Sequence, residues 1–337
     1  MTGAMDRREI EATFTDAARA ALARYPFEVT SLELVALSEN VTFRVDTATD
    51  GSCGLRLHRP GYHSLPELHS ERVWLRALAE AGIAVPIPVV SADGSEYVSV
   101  SVAVIEEQRF VGLTLWVEGE VIGPALIEER DADVVARRFG QLGNLRAELH
   151  NQASRWKPPP SFVRHSLDGD GLLGEAPFWG RFWEHPDLSA NDRDVLLAAR
   201  AQIRQALDRY GQDPATFSLI HADLHHANLL VNDQGLSIID FDDAGFGWHQ
   251  YDIAVALFHS AATRHQAVAR EAFFDGYRSS RPLSEADRAL VPMFELMQGM
   301  AVIGWKMQRP EVQWKPGFFD AVRSSVLRQC AEYDPPC

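Results

Sequence analysis

Three polar residues in one stretch of the chain have types and spacing that could do chemistry. Asp223 lies five residues before Asn228, and Asp240 lies twelve residues after Asn228. Two short apolar pieces, 229–231 and 236–239, lie between Asn228 and Asp240 and are separated by Asn-Asp-Gln-Gly. That order predicts a loop followed by a hairpin of two strands. A loop and a hairpin of this length can bring the three polar side chains around one small volume.

Two carboxylates and an amide in this arrangement suit phosphoryl transfer. A carboxylate accepts the proton of an attacking hydroxyl group, while an amide and a second carboxylate hold Mg²⁺ against the nucleotide phosphates. Protein kinases have H-R-D-x-x-x-x-N followed by D-F-G. This chain has His-Ala-Asp at 221–223, then Asn228, and Asp-Phe-Asp at 240–242. The missing arginine and glycine argue against a eukaryotic-type protein kinase.

The stretch resembles the aminoglycoside phosphotransferase family, because Leu-Ile precedes His221 and Asp-Ala-Gly follows Asp242. That family also includes choline, homoserine and bacterial stress-response kinases. The resemblance covers about residues 30–305 and is most specific at 221–252. It implies an α+β, two-lobe protein-kinase-like fold with a small antiparallel-sheet N-lobe containing one main helix and a larger, mostly helical C-lobe. It also implies Mg²⁺ as cofactor and ATP as co-substrate, with GTP as an open alternative.

The resemblance assigns roles to single residues of the stretch. Asp223 would orient or deprotonate the acceptor hydroxyl group, and Asn228 and Asp240 would hold Mg²⁺. Asp242 is a lesser candidate for a second metal ion. Asp252 would brace the catalytic loop by accepting backbone hydrogen bonds, although the helix dipole also favours an acid at the start of a helix.

Apolar spacing predicts the elements around this stretch. Helical spacing over 6–24 is followed by a mostly extended region, with strands at 32–37, 41–45, 54–58, 97–105 and 110–117 and one helix at 65–81. Gly119 provides a hinge position, and the chain after it is mainly helical. The predicted lobes are 1–118, which binds nucleotide, and 119–337, which carries the catalytic and substrate-binding residues.

Arg56 and Glu71 form a candidate phosphate-binding pair. Glu71 lies on the apolar stripe of the predicted helix, where a carboxylate is costly unless a cation meets it. Arg56, on the preceding strand, is the natural partner, since in the kinase fold a strand cation contacts the phosphates and a helix glutamate steadies it. The resembled family usually has lysine at the strand position, but arginine can bind two phosphate oxygens. A helix-edge acid that faces water is the alternative for Glu71.

Two further segments are candidates for nucleotide binding because of the resemblance. Ser38 and Asn40 lie in a turn between two predicted strands, where the family has a Ser/Asn-bearing turn that covers the nucleotide. An ordinary hairpin turn is the alternative, because the glycines of the protein-kinase loop are absent. The backbone of Trp116, Val117 and Glu118 would contact adenine, so the identity of these side chains gives little information about nucleotide binding.

Composition argues against several classes of partner. The chain has 337 residues, a net charge of −15 and a pI of about 5.2, so its surface repels nucleic-acid phosphates and anionic membranes. No apolar run approaches the roughly 18 residues of a membrane span, and the charged N-terminus lacks the apolar core of a signal peptide. The three cysteines, Cys53, Cys330 and Cys337, lack metal-ligand spacing and favour a reducing, cytoplasmic location.

The predicted function is transfer of the ATP γ-phosphoryl group to a hydroxyl group of a small molecule, such as an aminoglycoside or an amino alcohol. The acidic site residues and an aromatic-dense segment at 162–183 favour a cationic or neutral acceptor, although packing of helices in the core is an equal alternative for these aromatic residues. A protein Ser/Thr kinase of the bacterial stress-response type is an alternative, because its strand also ends in an Arg-Pro step such as Arg59-Pro60. A nucleotide-binding module without turnover is a second alternative, and the intact catalytic residues count against it.

Overall fold

The computed structural model describes residues 7–261, 263–310, 312 and 316–333. The chain forms two compact units, and each is discontinuous in sequence. The first unit comprises the chain up to Glu120, Pro158–Val163 and Leu230–Ile239, and the second comprises Val121–Lys157, Arg164–Leu229 and the chain from Asp240 onward. The lobe boundary between residues 118 and 119 stays a prediction.

The strands are short apart from β1, β2 and β6. In chain order they are β1 (Val29–Leu37), β2 (Val41–Thr47), β3 (Ser52–Leu57), β4 (Pro88–Val89), β5 (Val98–Val102), β6 (Glu107–Leu115), β7 (Glu120–Val121), β8 (Ser166–Leu167), β9 (Phe217–Ile220), β10 (Leu229–Asn232), β11 (Gly235–Ile238) and β12 (Gly245–Trp248). The predicted hairpin after Asn228 is confirmed, because β10 and β11 are hydrogen-bonded neighbours.

The described residues form two α-helices before residue 121 and are mainly helical after it. In chain order the α-helices are α1 (Arg7–Leu22), α2 (Leu65–Glu80), α3 (Gly123–Glu128), α4 (Ala132–Arg155), α5 (Gly169–Leu173), α6 (Ala190–Tyr210), α7 (His249–Ser260), α8 (Gln266–Ser280), α9 (Glu285–Gln308) and α10 (Phe318–Ala331). Among the described residues, every helix is too short or too polar to span a membrane.

The first unit is built on an antiparallel sheet with strand order β1-β2-β3-β6-β4, in which β5 also pairs with β6. Period-two alternation buries one face of the two central strands, namely Val41, Phe43, Val45, Cys53, Leu55 and Leu57. These side chains and buried residues of α1 belong to one core. An antiparallel sheet near the N-terminus and a helical remainder confirm the predicted α+β class.

Helix α2 begins at a local sequence signal in the first unit. The backbone N–H of Ser64 donates to Oε2 of Glu67 at 2.8 Å, and a proline stands in the first turn. Both features stabilise a helix N-terminus. The helix therefore starts at Leu65, as predicted, and its sequence then places Glu71 two turns into the helix.

Helices α4 and α8 pack closely against each other in the second unit. A Cβ atom added at Gly143 would overlap the carbonyl oxygen of Phe273, and one added at Gly276 would overlap the α4 backbone. Only glycine lets the two helices approach this closely. Helix α4 contributes Arg146 and His150, and both are 0% exposed.

Candidate active site

The pairing of β9 with β12 brings the two functional stretches to one edge of a small sheet in the second unit. Ile220, the last residue of β9, pairs with Gly245, the first residue of β12. The catalytic loop begins directly after Ile220, and the acidic stretch 240–243 ends just before Gly245. The loop that carries Asp223 and the stretch that carries these acids therefore leave the sheet at neighbouring positions.

Two residues of the site have left-handed backbone conformations, which are uncommon outside glycine. Ala222 has a φ of 66° and Asp240 has a φ of 64°. Such conformations cost on the order of 1–3 kcal/mol and persist only where the surrounding structure holds them. Ala222 directly precedes Asp223, so in both stretches the unusual backbone lies where a carboxylate must be directed.

Asn228 contacts the carboxylate of Asp223 directly. Its Nδ2 donates to Oδ2 of Asp223 at 2.8 Å and to the carbonyl oxygen of Asp223 at 2.9 Å. A single 3₁₀ turn at His226–Asn228 brings the amide back toward Asp223. Because Nδ2 faces Asp223, the amide oxygen is the atom of Asn228 that suits a cation.

The Asp223 carboxyl group lies where a negative charge is unfavourable. Burial raises the pKa of Asp223 well above its ordinary value, and the charges of Asp243 and Asp240 raise it further. The hydrogen bond from Asn228 opposes this shift but does not outweigh it. Carboxylates concentrated beside an amide oxygen are a donor set that a hard divalent cation neutralises. These residues therefore fit Mg²⁺, the ion that the sequence pattern implies.

Asp252 braces the catalytic loop from inside the second unit. Its Oδ1 accepts the backbone N–H of Ala222 at 2.8 Å and lies 2.5 Å from Nη1 of Arg146. Arg146 also donates to the carbonyl oxygens of Asp252, at 2.6 Å, and of Leu224. Burial by itself would raise the pKa of Asp252, but the Arg146 charge and the His150 hydrogen bond hold it well below its ordinary value. The expected backbone hydrogen bond to Asp252 is confirmed.

His150 is buried in its neutral form beside Asp252. Its Nε2 lies 2.9 Å from Oδ2 of Asp252, and because a carboxylate only accepts, Nε2 carries the hydrogen. Its Nδ1 then accepts from the hydroxyl group of Tyr277 at 2.9 Å. Burial lowers the pKa of His150 to about 4, although Asp252 acts in the opposite direction. The hydrogen bonds from Tyr277 through His150 fix the orientation of the Asp252 carboxylate.

Arg164 holds the backbone of the acidic stretch. Its guanidinium donates to the carbonyl oxygens of Ala244 at 2.5 Å, Asp242 at 2.6 Å and Phe241 at 3.2 Å. Arg164 is 8% exposed. Three carbonyl oxygens held by one buried cation keep this turn in a single backbone conformation, which positions the side chains of the acids it carries.

A second group of side chains near Asp223 has the spacing of metal ligands. Donor atoms of Asp223, His225 and His259 all lie within 4.8 Å of one another. However, the backbone N–H of Ala227 donates to Nδ1 of His225 at 3.1 Å, so the hydrogen of the neutral ring is on Nε2. Nε2 is the atom that faces Oδ1 of Asp223, at 3.5 Å. A protonated nitrogen cannot ligate a metal, so this geometry favours a hydrogen bond to Asp223.

The predicted phosphate-binding pair lies in the first unit. Arg56 is on β3, where it is opposite Thr42 of β2 and Gly112 of β6. Glu71 is on α2 and is half-buried. The strand cation and the helix acid thus belong to the same unit, as the prediction requires. Direct contact between Arg56 and Glu71 stays a prediction.

The turn between β1 and β2 is held by a set of polar contacts. The backbone N–H and the hydroxyl group of Ser38 donate to the carbonyl oxygen of Asn40 at 3.2 and 3.1 Å. Oδ1 of Asn40 accepts the backbone N–H of Arg59 at 2.9 Å. Arg59 also pairs with Glu39 at 2.7 Å, and Arg109 donates to the Glu39 carbonyl oxygen at 3.0 Å. The turn is therefore preorganised, and the nucleotide contacts of Ser38 and Asn40 stay a prediction.

Trp116, Val117 and Glu118 follow the end of β6 in the first unit. The backbone N–H of Trp116 donates to the carbonyl oxygen of Ser52 at 2.9 Å. The carbonyl oxygen of Glu118 accepts from Nδ2 of Asn232 at 2.9 Å. Both ends of the segment are thus fixed by hydrogen bonds, and its contact with adenine stays a prediction.

Sequence reasoning missed Arg146 and Asp243 and gave no role to His225. Arg146 had a signal, because it lies on the buried stripe of α4, four residues before His150, where a cation needs acceptors. Asp243 had no separate signal, because it is one of several acids in the stretch and only tertiary structure shows which of them act on Asp223.

A comparison with known protein families shows which family this chain belongs to. The model of the phosphotransferase enzyme family matches residues 32–290, which is most of the chain. The chain belongs to this family. The predicted resemblance to the aminoglycoside phosphotransferases is confirmed, and the phosphotransferase is an enzyme of the small-molecule kinase type.

Several kinases are similar to this phosphotransferase over most of their length. The solved structure of a microcompartment-associated aminopropanol kinase is 32% identical, covers 94% of each chain and has a TM-score of 0.76. The amicoumacin kinase of Bacillus subtilis is 24% identical and is matched over 84% of this chain and 82% of its own. A solved amicoumacin kinase in complex with AMP-PNP, Ca²⁺ and Ami is 20% identical, covers 98% and 97% of the two chains and has a TM-score of 0.78.

These similarities decide between the alternatives for the phosphotransferase. The predicted kinase-like fold is confirmed by the two solved structures. The alternative of a protein Ser/Thr kinase is not favoured, because the similar kinases are named for small molecules. The alternative of a binding module without turnover is not favoured either, because the family and its similar members are enzymes.

Proposed function

We propose that this phosphotransferase moves the γ-phosphoryl group of ATP to a hydroxyl group of a small amine-bearing alcohol, such as an amino alcohol or an aminoglycoside. The observation that carries the proposal is the Asp223 carboxylate, held by Asn228 and repelled by Asp240 and Asp243. The similarity to an aminopropanol kinase supports the class of acceptor.

Asp223 acts as the base or orienting group for the acceptor hydroxyl. Burial, followed by the charges of Asp243 and Asp240, raises its pKa and makes the carboxylate a better proton acceptor. Asn228 fixes the carboxylate through Oδ2. Asp252 fixes the backbone before it through Ala222. A base held in one orientation keeps the hydroxyl group aligned for in-line attack.

Asn228 and Asp240 hold Mg²⁺ in this proposal, and Asp242 is the candidate ligand of a second ion. Amide and carboxylate oxygens are the hard donors that Mg²⁺ prefers. When bound, Mg²⁺ neutralises charge on the transferring phosphates. The similar amicoumacin kinase structure contains AMP-PNP and Ca²⁺, which supports the use of a nucleotide and a divalent ion.

The first unit supplies the nucleotide contacts. ATP is the proposed donor, and GTP is the second candidate. Arg56 binds phosphate oxygens and Glu71 steadies it, as in other kinases. Ser38 and Asn40 cover the nucleotide with their preorganised turn. The backbone of 116–118, which is fixed at both ends, binds the base.

An ammonium group on the acceptor suits the acidic groups of the second unit. The rings of Trp179 and Tyr251 are stacked, with centroids 6.3 Å apart. Burial raises the pKa of Tyr251 well above its ordinary value, and the charges of Asp243 and Asp223 raise it further. Tyr251 is 0% exposed and Trp179 is 7% exposed, so the carboxylates of the site, and not these rings, are the groups that favour a cationic acceptor over an anionic one.

An ADP-release assay tests the proposal. The panel contains amino alcohols, aminoglycosides, neutral sugars, nucleosides, hydroxy acids and a generic protein substrate, each with ATP and with GTP. We expect saturable turnover of an amine-bearing alcohol. The Asp223→Asn variant should lose about 10²–10⁴ of that turnover, the usual contribution of a general base, while it still binds MgATP.

Two outcomes would contradict the proposal in different ways. Turnover of a hydroxy acid or of the protein, with none for the amines, would refute the proposed acceptor. Parent-level turnover by Asp223→Asn would remove Asp223 from the mechanism, whichever acceptor is used.

A further inference from the structure

The two oxygens of the Asp223 carboxylate face different groups. Oδ2 accepts from Nδ2 of Asn228 at 2.8 Å. Oδ1 lies 3.5 Å from Nε2 of His225, two residues along the chain. The side chain of His225 is 17% exposed and that of Asp223 is 33% exposed, so solvent reaches both only in part. The proposed role of Asp223 gives a side-chain partner only to Oδ2 and leaves the group beside Oδ1 unexplained.

The backbone of the loop determines which nitrogen of His225 carries a hydrogen. The N–H of Ala227 is always a donor, and it points at Nδ1 of His225 at 3.1 Å. Nδ1 must therefore accept, and the hydrogen of the ring is on Nε2. Nε2, which lies 3.5 Å from Oδ1 of Asp223, is therefore a nitrogen that can donate to this oxygen. The residue that caps the 3₁₀ turn thus also presents a donor to the base.

The ring plane of His225 is also held from outside the loop. The imidazole of His259, on α7, lies against it with centroids 4.3 Å apart and an angle of 33° between the planes. His259 is half-buried, and burial lowers its pKa to about 4, so it packs as a neutral ring. A ring fixed by a backbone hydrogen bond and by an aromatic neighbour keeps its Nε2 in one direction, with little freedom to turn away from Asp223.

We propose that His225 is a positioning residue for the catalytic base. Its Nε2–H donates to Oδ1 of Asp223 while Asn228 holds Oδ2, so the carboxylate is fixed at both oxygens. Catalytic hydrogen bonds are often long without substrate and shorten in the complex, and the 3.5 Å separation fits that behaviour. Each oxygen retains a further lone pair, which leaves a site for the acceptor proton. The proposal depends on the proposed role of Asp223 as base.

Two substitutions separate the cap from the donor. In His225→Asn the side-chain oxygen can still accept from Ala227, because asparagine is a good cap, but the shorter amide does not reach Oδ1. In His225→Gln the amide nitrogen extends to about the distance of Nε2 and restores a donor. We expect His225→Asn to lower kcat about tenfold, the scale of a slightly misplaced catalytic group, with unchanged KM for ATP and unchanged Tm. His225→Gln should recover most of kcat.

His226→Asn is the matched control, because it changes the neighbouring histidine of the same turn. It should keep kcat within about twofold of the parent. An equal loss in His225→Asn and His226→Asn would overturn the proposal, since any change in the turn would then be harmful. Parent-level kcat in His225→Asn, with Asp223→Asn inactive, would also overturn it and leave the role of Asp223 standing. Activity in Asp223→Asn would refute the role of the base itself.

A measurement on the unaltered protein does not depend on how the variants fold. In ¹⁵N-histidine-labelled protein at neutral pH, long-range proton–nitrogen spectra distinguish the two neutral tautomers. The His225 signal, assigned by its loss in His225→Asn, should show hydrogen on Nε2 and none on Nδ1. A ring with its hydrogen on Nδ1 would contradict the proposal, because Nε2 could not then donate to Asp223.

Discussion

The backbone N–H of Ala222 donates to Oδ1 of Asp252 at 2.8 Å, so a side chain 30 residues away holds the residue that directly precedes Asp223, the proposed base. Ala222 has a left-handed φ of 66°, which an alanine adopts only when other contacts compensate. The same carboxylate oxygen is paired with the buried guanidinium of Arg146. The direction of the proposed base therefore depends on an ion pair that is fully buried.

We predict that Asp252→Asn lowers the free energy of unfolding by about 3–5 kcal/mol, the usual cost of leaving one buried charge of a pair without its partner. Asparagine has nearly the same shape, so the loss arises from the uncompensated Arg146 charge. Urea denaturation followed by circular dichroism measures the change. Asp275→Asn is the control, since Asp275 is 73% exposed and its pair with Arg278 is worth under about 1 kcal/mol. Equal stabilities for the two variants would show that the buried pair contributes little.

We predict that the protein loses stability as the pH falls from neutral to 5, partly because of His150. Its pKa is about 4 in the folded protein and 6.5 without the fold, so between these values the unfolded chain binds the extra proton. Protonation then favours unfolding, by about 2 kcal/mol at pH 5 for a shift of this size. Below pH 4 both states are protonated and this contribution stops growing.

The variant His150→Gln isolates that contribution. Glutamine can still donate to Asp252 but does not titrate, so its free energy of unfolding should change less between pH 7.5 and pH 5 than that of the parent. His249, which is buried, and His259, which is half-buried, also have lowered pKa values and remain in both proteins. The same pH dependence in both proteins would mean that His150 is not responsible.

We predict that Asp240→Ala abolishes Mg²⁺-dependent nucleotide binding, whereas Asp242→Ala only weakens it. Asp240 follows the second strand of the hairpin, where the family has its metal-binding acid, and its charge acts on Asp223. Calorimetric titration with ATP at fixed Mg²⁺ measures both variants. Asp233→Ala, in the exposed hairpin turn, should bind like the parent. Normal binding by Asp240→Ala, together with loss of binding by Asp242→Ala, would show that Asp242 and not Asp240 is the main metal ligand.

We predict that Arg56 and Glu71 are coupled in MgATP use. Each single change to alanine should raise KM for MgATP, and the double variant should cost less than the sum of the two, because the second change removes a residue that has already lost its partner. Arg76→Ala is the control, since Arg76 lies on the same helix as Glu71 but is paired with Glu96. Strictly additive effects would show that the two residues do not act together.

Short-range features of this chain could be read directly from its sequence. The hairpin after Asn228 follows from two apolar runs around Asn-Asp-Gln-Gly, and β10 and β11 form there. The start of α2 follows from Ser64 and Glu67, whose contact lies within one turn. Spacing also allowed the contact between Asp223 and Asn228, because a five-residue loop leaves few other arrangements. These features depend on neighbours in sequence, so local patterns specify them.

Tertiary structure decided how the base is held and charged. Arg146 of α4 and Asp252 of α7 are 106 residues apart in the sequence, so only the packed fold brings them together. The pKa of Asp223 depends on burial and on two acids whose distance is set by the pairing of β9 with β12. Burial and long-range electrostatics are properties of the packed chain. The sequence therefore determined which groups are available for the proposed chemistry, and the fold decided how they are oriented and which charges act on them.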